Sequence, residues 1–293
     1  MKKLLIVIGV LFGLTGLAMA KVAIVASSTD LASIAKEIGG DLAEVNSIAQ
    51  GRSNLHYVEV LPSYMLKVSK ADIYLKVGLG LDMWADAVID GSRNGKLIVV
   101  DCSTGIETLE RPSGRIDASM GDIHPQGNPH YWLDPANGVE IARNILTAIT
   151  KADPENLTIY QVNFEAFCLK VENNLVKWRK EAESLKGLSV VSYHNTWPYL
   201  AKAFGFEVVG FIEPKPGIEP TASHTSQLID LMKSKEVRVI LREPYFSPRA
   251  PESIAKATGA TVLVAPPSVG AVASATDYIA LFDTLLSLLK ATR

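Results

Sequence analysis

The sequence predicts an α/β protein: two α/β lobes with mostly parallel sheets on either side of one long helix. Three observations predict it. Short apolar runs alternate with helix-length stretches from Val22 to Val100 and again from Leu188 to Leu289, which is the pattern of βαβ units. Between these regions Pro154 to about Leu185 reads as one helix; roughly 30 residues rising about 1.5 Å each span about 45 Å, more than a small domain is wide. The 293 residues are 48% hydrophobic and 20% charged, enough for one large domain or two ordinary ones with a sizeable core.

The elements follow in order. Val22 to Ala26 is a short apolar strand, Thr29-Asp30 caps a helix running to Ile38, and Gly39-Gly40 stops it. Ala43 to Ala49 is a second strand, Pro62 to Lys70 a short helix, and Ile73 to Val77 a third strand that enters the turn Gly78-Leu79-Gly80. Leu97 to Val100 is the fourth strand. Thr104 to Pro129, rich in Gly and Pro, is a long loop of the kind that carries function. Pro135 to Thr150 is a helix for which Asp134 is the expected N-cap, and Pro154 opens the long helix with Asp153 before it. Apolar residues at Val162, Phe164, Phe167, Leu169, Val171, Leu175, Val176 and Trp178 approximate a helical period along it. Alternation then resumes, with strands at Leu188–Tyr193, Phe206–Ile212, Val237–Leu241 and Thr261–Val264. Helices are expected at Thr196–Phe204, Thr221–Ser234, Pro248–Thr258 and Thr276–Leu289. The chain divides into a leader over 1–20, an N-terminal lobe over 21–154, the linking helix over 155–186 and a C-terminal lobe over 187–293.

Lys2 and Lys3, the apolar stretch Leu4 to Leu17 and the A-x-A site Ala18-Met19-Ala20 form a secretory signal peptide. The alternative, a membrane anchor, is at the short limit for a span. No cysteine follows the cleavage site, so a lipidated form is not expected, and the mature chain is expected to be soluble and periplasmic. Twenty-nine basic and 31 acidic residues give a net charge of −2, which offers nothing to nucleic acid or an anionic membrane. Two cysteines, Cys102 and Cys168, exclude a disulfide framework and a Cys-rich zinc module, although an oxidising compartment would allow them to pair. There is no phosphate-binding Gly loop, no G-x-S-x-G elbow and no H-E-x-x-H helix.

The chemistry rests on five histidines. His56 and His194 follow strands, where open α/β sheets place their ligands, and His130 precedes a helix. Imidazole binds zinc and other divalent transition metals. A site using all three would join distant segments, His56 and His194 coming from opposite lobes. Spacing alone also fits three loop histidines with no common role. His124 reads as a solvated loop residue, His224 as a residue near a helix start, Glu59 as a carboxylate orienting a ligand, and Trp132 and Trp197 as packing beside two ligands.

Several stretches carry a resemblance. Leu55-His56-Tyr57-Val58-Glu59-Val60-Leu61-Pro62-Ser63 stands in register with a Pro-His-x-Tyr-Glu-x-x-Pro-Ser segment. Ala71-Asp72-Ile73-Tyr74 with Gly78-Leu79-Gly80-Leu81-Asp82-Met83-Trp84 follows. Asn128-Pro129-His130-Tyr131-Trp132-Leu133-Asp134-Pro135 is close to a DPHxWLDP motif. Asp153-Pro154-Glu155-Asn156 with Tyr160 and Asn163, then Ser192-Tyr193-His194 with Tyr199, Phe204 and Gly205, then Glu243-Pro244-Tyr245, continue in order. Together they resemble the metal-binding substrate-binding proteins of ABC-type importers, of the zinc/manganese cluster. The resemblance covers nearly the whole mature chain. It implies two lobes joined by a rigid helix, a metal site between the lobes, and His56, His130 and His194 as metal ligands. It also implies a non-enzymatic carrier that works as a monomer with a permease of the inner membrane.

Manganese-type members of that family carry a carboxylate where His194 stands, and imidazole favours Zn2+, with Mn2+ the alternative cargo. Members usually place a fourth ligand, an aspartate, in a turn after the last strand. Ala265 or Pro266 occupies that place here, which leaves water, Glu243, Glu59 or His124 to complete the site. A manganese or iron carrier of the same fold is the first alternative, and a zinc hydrolase with three His ligands and an activated water is the reading from another class.

Overall fold

The computed structural model describes residues 21–113, 121 and 124–293; the leader expected over Met1–Ala20 lies outside them. Two four-stranded sheets, all parallel, form the frame. The first contains β1 (Val22–Ala26), β2 (Ala43–Ser47), β3 (Ile73–Lys76) and β4 (Ile98–Asp101) in the order β2-β1-β3-β4. The second contains β5 (Ser189–Ser192), β6 (Glu207–Phe211), β7 (Val239–Arg242) and β8 (Thr261–Val264) in the order β6-β5-β7-β8. The two orders are the same pattern. In each the chain moves outward one way and then the other, so a crevice opens between the first and third strands at their carboxyl ends. The central strands are apolar on both faces, β1 as VAIVA and β3 over Ile73, Tyr74 and Leu75, as expected of strands covered on both sides.

Nine α-helices lie among the described residues. They are α1 (Thr29–Gly39), α2 (Pro62–Val68), α3 (Trp84–Ser92), α4 (Asn137–Ala152), α5 (Leu157–Ala182), α6 (Pro198–Phe204), α7 (Ala222–Ser234), α8 (Arg249–Thr258) and α9 (Tyr278–Lys290). The long helix holds, with short 3-10 turns at Pro154–Asn156 and Glu183–Leu185 closing its ends. Its 26 α-helical residues span about 39 Å. Helix α3 was not expected: Asp and Gly interrupt its sequence, and it buries only Ala85, Val88 and Ser92.

Three local expectations change. Ser28, not Thr29-Asp30, caps α1, its Oγ accepting the Leu31 N–H at 3.3 Å. Asp134 does not cap α4; its Oδ1 accepts the Ala136 N–H at 2.9 Å in a turn ahead of the helix. Cys102 is buried and Cys168 partly exposed, and both are free thiols.

Helix α5 is fastened to both ends of the molecule. Asn163 Nδ2 donates to Ile38 O at the end of α1, and Lys170 pairs with Glu37. Near its other end Trp178 Nε1 and Lys177 Nζ both donate to Asp283 Oδ1 of α9. The principal core runs continuously from the first sheet through Phe167, Val171 and Trp178 of α5 to Phe282 and Leu286 of α9; Val162, Leu169 and Val176, expected on the same apolar face, lie off this stripe and are exposed.

A second tie crosses the molecule ahead of α9. Asp30 Oδ1 accepts the Val269 N–H at 2.9 Å, Thr29 Oγ1 donates to Val269 O, and Arg52 Nε donates to Ala271 O. Tyr278 N–H donates to Ser33 Oγ, and its hydroxyl to Trp132 O at 2.8 Å. Gly51 sits against this segment so closely that a Cβ would lie 2.1 Å from Val269 O. Opening the two lobes widely would break all of these contacts at once.

Candidate metal centre

His56 lies in the loop between β2 and α2. Its backbone N–H donates to Asn54 Oδ1 at 3.0 Å, and the preceding carbonyl, Leu55 O, accepts Trp84 Nε1 at 2.8 Å. The loop is thus pinned from inside by a side chain of α3.

His130 ends the long loop and starts a 3-10 turn over Tyr131–Leu133. Asn128 holds it. Asn128 Nδ2 donates to Asn195 O at 2.8 Å and to Glu110 Oε2 at 3.1 Å. A carbonyl can only accept, so this side of the amide is the NH2 group and Oδ1 is the acceptor. Oδ1 accepts the His130 backbone N–H and the ring Nδ1–H, each at 3.0 Å. The proton therefore sits on Nδ1, and Nε2 keeps its lone pair. Trp132 packs beside the ring at 5.4 Å between centroids and donates Nε1 to Pro267 O.

His194 leaves β5 through Tyr193. Its Nδ1 donates to Glu213 Oε2 at 2.7 Å, both side chains being 8% exposed. Glu213 stands just past β6, and its Oε2 also accepts the Gly217 N–H at 3.3 Å. This arrangement again puts the proton on Nδ1 and the lone pair on Nε2, the nitrogen that could ligate.

The three side chains meet. Each offers one ligand atom, and these atoms lie within 4.8 Å of one another. Ring centroids are 5.4 Å apart for His56–His130, 5.0 Å for His56–His194 and 5.4 Å for His130–His194. Two imidazoles on one tetrahedral zinc, with Zn–N about 2.0–2.1 Å, would hold their centroids about 5.2 Å apart. The rings are already at ion-binding separation. Burial, then the neighbouring imidazoles, push the His130 pKa well below the usual histidine range, so this ring is neutral and ready to ligate at ordinary pH.

The other residues singled out from the sequence fall as follows. Glu59 is exposed. Glu243 is fully buried past β7; its Oε1 accepts Thr196 Oγ1 at 2.5 Å, its Oε2 makes no hydrogen bond within the protein, and burial pushes its carboxyl up to about 7. His224 lies on α7 and donates Nε2 to Phe211 O. Trp197 is fully buried. His124 is not a solvated loop residue: its Nδ1 donates to Leu79 O at 3.1 Å and its ring lies 5.2 Å from that of His56. Asn128, Glu110 and Glu213 were missed. The available signal for Glu213 was the pair Glu213-Pro214 after β6, matching Glu243-Pro244 after β7. Asn128 could have been found as an amide two residues before a candidate ligand, His130.

The fold and the donor set define a class: a substrate-binding protein of the two-lobed, helix-linked kind, with a histidine centre where the lobes meet. The chain belongs to the family described as ZnuA, zinc-uptake complex component A periplasmic, whose profile matches residues 24–292. This is a family of metal-binding proteins of ABC transporters. Among the relatives, the iron-binding protein YfeA of Yersinia pestis is 26% identical over 246 residues, covering 82% of this chain and 75% of its own. The manganese-binding lipoprotein MntA of Halalkalibacterium halodurans is 25% identical over 223 residues, covering 75% and 70%. A crystal structure of ZnuA superposes with a TM-score of 0.80 at 25% identity, over 92% of this chain and 98% of that one. None of the helices among the described residues is long and apolar enough to cross a membrane.

Proposed function

We propose that this protein captures Zn2+ in the periplasm through His56, His130 and His194 and passes it to the permease of an ABC-type importer. It acts as a carrier without catalysis, as a monomer, after removal of residues 1–20. The lobes are residues 21–154 and 187–293, with the helix over 155–186 between them. The observation that carries this reading is the meeting of three imidazoles at tetrahedral spacing, with His130 and His194 each having its Nδ1 proton taken by a fixed acceptor. Relatives named for iron and manganese leave the cargo open by kinship. The donor chemistry supports zinc: three borderline nitrogens, with no carboxylate inside the set, disfavour the harder Mn2+. The ties between α1 and residues 269–278 support capture with small lobe movement rather than a wide hinge closure.

The test is metal content by elemental analysis and competition titration with Zn2+, Mn2+ and Fe2+. The series His56→Ala, His130→Ala and His194→Ala is run alongside the unaltered chain. One tight zinc per chain, weakened in each variant, is expected. Binding indifferent to all three substitutions, or a preference for Mn2+ or Fe2+ over Zn2+, would overturn the proposal.

A further inference from the structure

Three imidazoles leave one position of a tetrahedral ion open. Resting on the reading of His56, His130 and His194 as zinc ligands, we propose that His124 fills that position, so that the cargo is held by four imidazole nitrogens and no carboxylate.

Three observations carry this. The first is spacing. The His124 ring lies 5.2 Å from that of His56, the separation of two rings on one tetrahedral zinc; it stands outside the set of three whose ligand atoms already lie within 4.8 Å of one another, so it has to draw in on the ion. The second is a shared space. His124, His130 and His194 line one cavity of about 60 Å³ together with Asn195, Glu110 and Pro216, which has room for an ion.

The third is the tautomer. His124 Nδ1 donates to Leu79 O at 3.1 Å. A carbonyl only accepts, so the proton is on Nδ1 and the lone pair on Nε2. His130 and His194 are arranged alike, with Nδ1–H handed to Asn128 and Glu213. A ligating histidine donates its other nitrogen to a carbonyl or carboxylate in this way.

The acceptor is itself built for the purpose. Gly78, Leu79 and Gly80 have φ of +82°, +52° and +78°. Asp82 holds the turn by accepting the N–H groups of Val77 at 2.7 Å and Gly78 at 3.0 Å. A leucine in the left-handed region costs backbone strain, and here the strained residue supplies the carbonyl that takes the His124 proton. Leu79 is in this sense a positioning residue for the fourth ligand.

The measurement is 15N NMR of imidazole-labelled mature protein titrated with Zn2+, with each histidine assigned by its own substitution. His124, His56, His130 and His194 should all show the ligation shift of their Nε2 resonance, while His224 should not. His124→Ala and His124→Gln should each lower Zn2+ affinity by more than the roughly 10–100-fold that a second-sphere partner contributes. The Gln variant can still donate an amide proton to Leu79 O, so metal-free folding is expected to survive in it, as read by thermal unfolding. If only His56, His130 and His194 shift and both His124 variants keep their affinity, the fourth-ligand proposal is overturned and the carrier reading stands. If none of the four shifts, the carrier reading fails and this inference with it.

Discussion

Glu213 offers a graded test of how the site is tuned. It accepts the His194 Nδ1 proton at 2.7 Å, and the same oxygen accepts the Gly217 N–H at 3.3 Å. In Glu213→Gln the amide oxygen can take that place, because both neighbours only donate. The tautomer is kept and only the carboxylate charge is lost. Such outer partners are worth roughly 10–100-fold in metal affinity, so this variant belongs at the low end, about 10-fold or about 1.4 kcal/mol. Glu213→Leu removes the acceptor altogether. The His194 Nδ1–H would then be buried without a partner, and the ring would move its proton to Nε2, the nitrogen the ion needs. This variant belongs at the high end, about 100-fold or about 2.7 kcal/mol. The assay is a zinc competition titration on protein whose metal-free thermal unfolding is recorded in parallel, with His194→Ala as the reference for complete loss of the ligand. If Glu213→Leu binds zinc within about threefold of the unaltered chain while His194→Ala does not, then an orienting partner of the usual strength is absent and the reasoning fails.

Asn128→Ala removes the acceptor for both the His130 ring and its backbone N–H; zinc affinity should fall roughly 10–100-fold by the same titration. Zinc affinity should also decline as pH falls below about 6.5, because protons compete for the imidazoles. His130, whose pKa is held well down by burial, should contribute little to the slope measured between about pH 5 and 6.5, a point checked by repeating the profile in a His130→Gln background. Gly51→Ala would place a Cβ 2.1 Å from Val269 O; such overpacking costs about 1–3 kcal/mol and should appear as a lowered melting temperature.

The fold was legible because parallel strands covered on both faces are short apolar runs, and those of β1, β3, β5 and β7 stand out between helices with clear stops. The long helix was legible from Pro154 at its start and Gly187 just past its end. Helix α3 was not, because it buries one narrow face and carries Asp and Gly through its length. The three-histidine set was legible only through motif resemblance, since its members are far apart in sequence and spacing offers no local period. The acceptors escaped notice for a physical reason. Asn128, Glu213 and Leu79 act through hydrogen-bond direction in three dimensions, and a carbonyl such as Leu79 O has no sequence signature at all. His124 was misread for the same reason: its loop is Gly- and Pro-rich, which reads as solvated, and only the turn at 78–80 shows where its ring is held.

Asp30 shows how the frame that limits lobe movement carries an electrostatic cost. Its carboxyl is fully buried, and desolvation pushes its pKa from 3.8 up to about 7 despite the Val269 N–H donated to Oδ1. Oδ2 makes no hydrogen bond within the protein. The folded state therefore holds a proton that the unfolded chain releases above about pH 4. The stabilising contribution is fully present below that pH and is lost as pH rises through about 7. From 3.8 to about 7 the full loss is on the order of 4 kcal/mol, of which roughly 3 kcal/mol falls between pH 5 and pH 8. Asparagine imitates the neutral acid, keeping an oxygen for Val269 N–H and adding a donor in place of the lone Oδ2. Denaturant unfolding of metal-free Asp30→Asn should thus show a smaller decline in stability from pH 5 to pH 8 than the unaltered chain. Glu243, raised to about 7 by the same cause, adds a decline of the same sign that Asp30→Asn leaves in place and that Asp30→Asn with Glu243→Gln removes. Equal pH dependence in the single variant and the unaltered chain would mean that Asp30 is charged in the fold and that the tie between α1 and the turn after β8 is ionic rather than neutral.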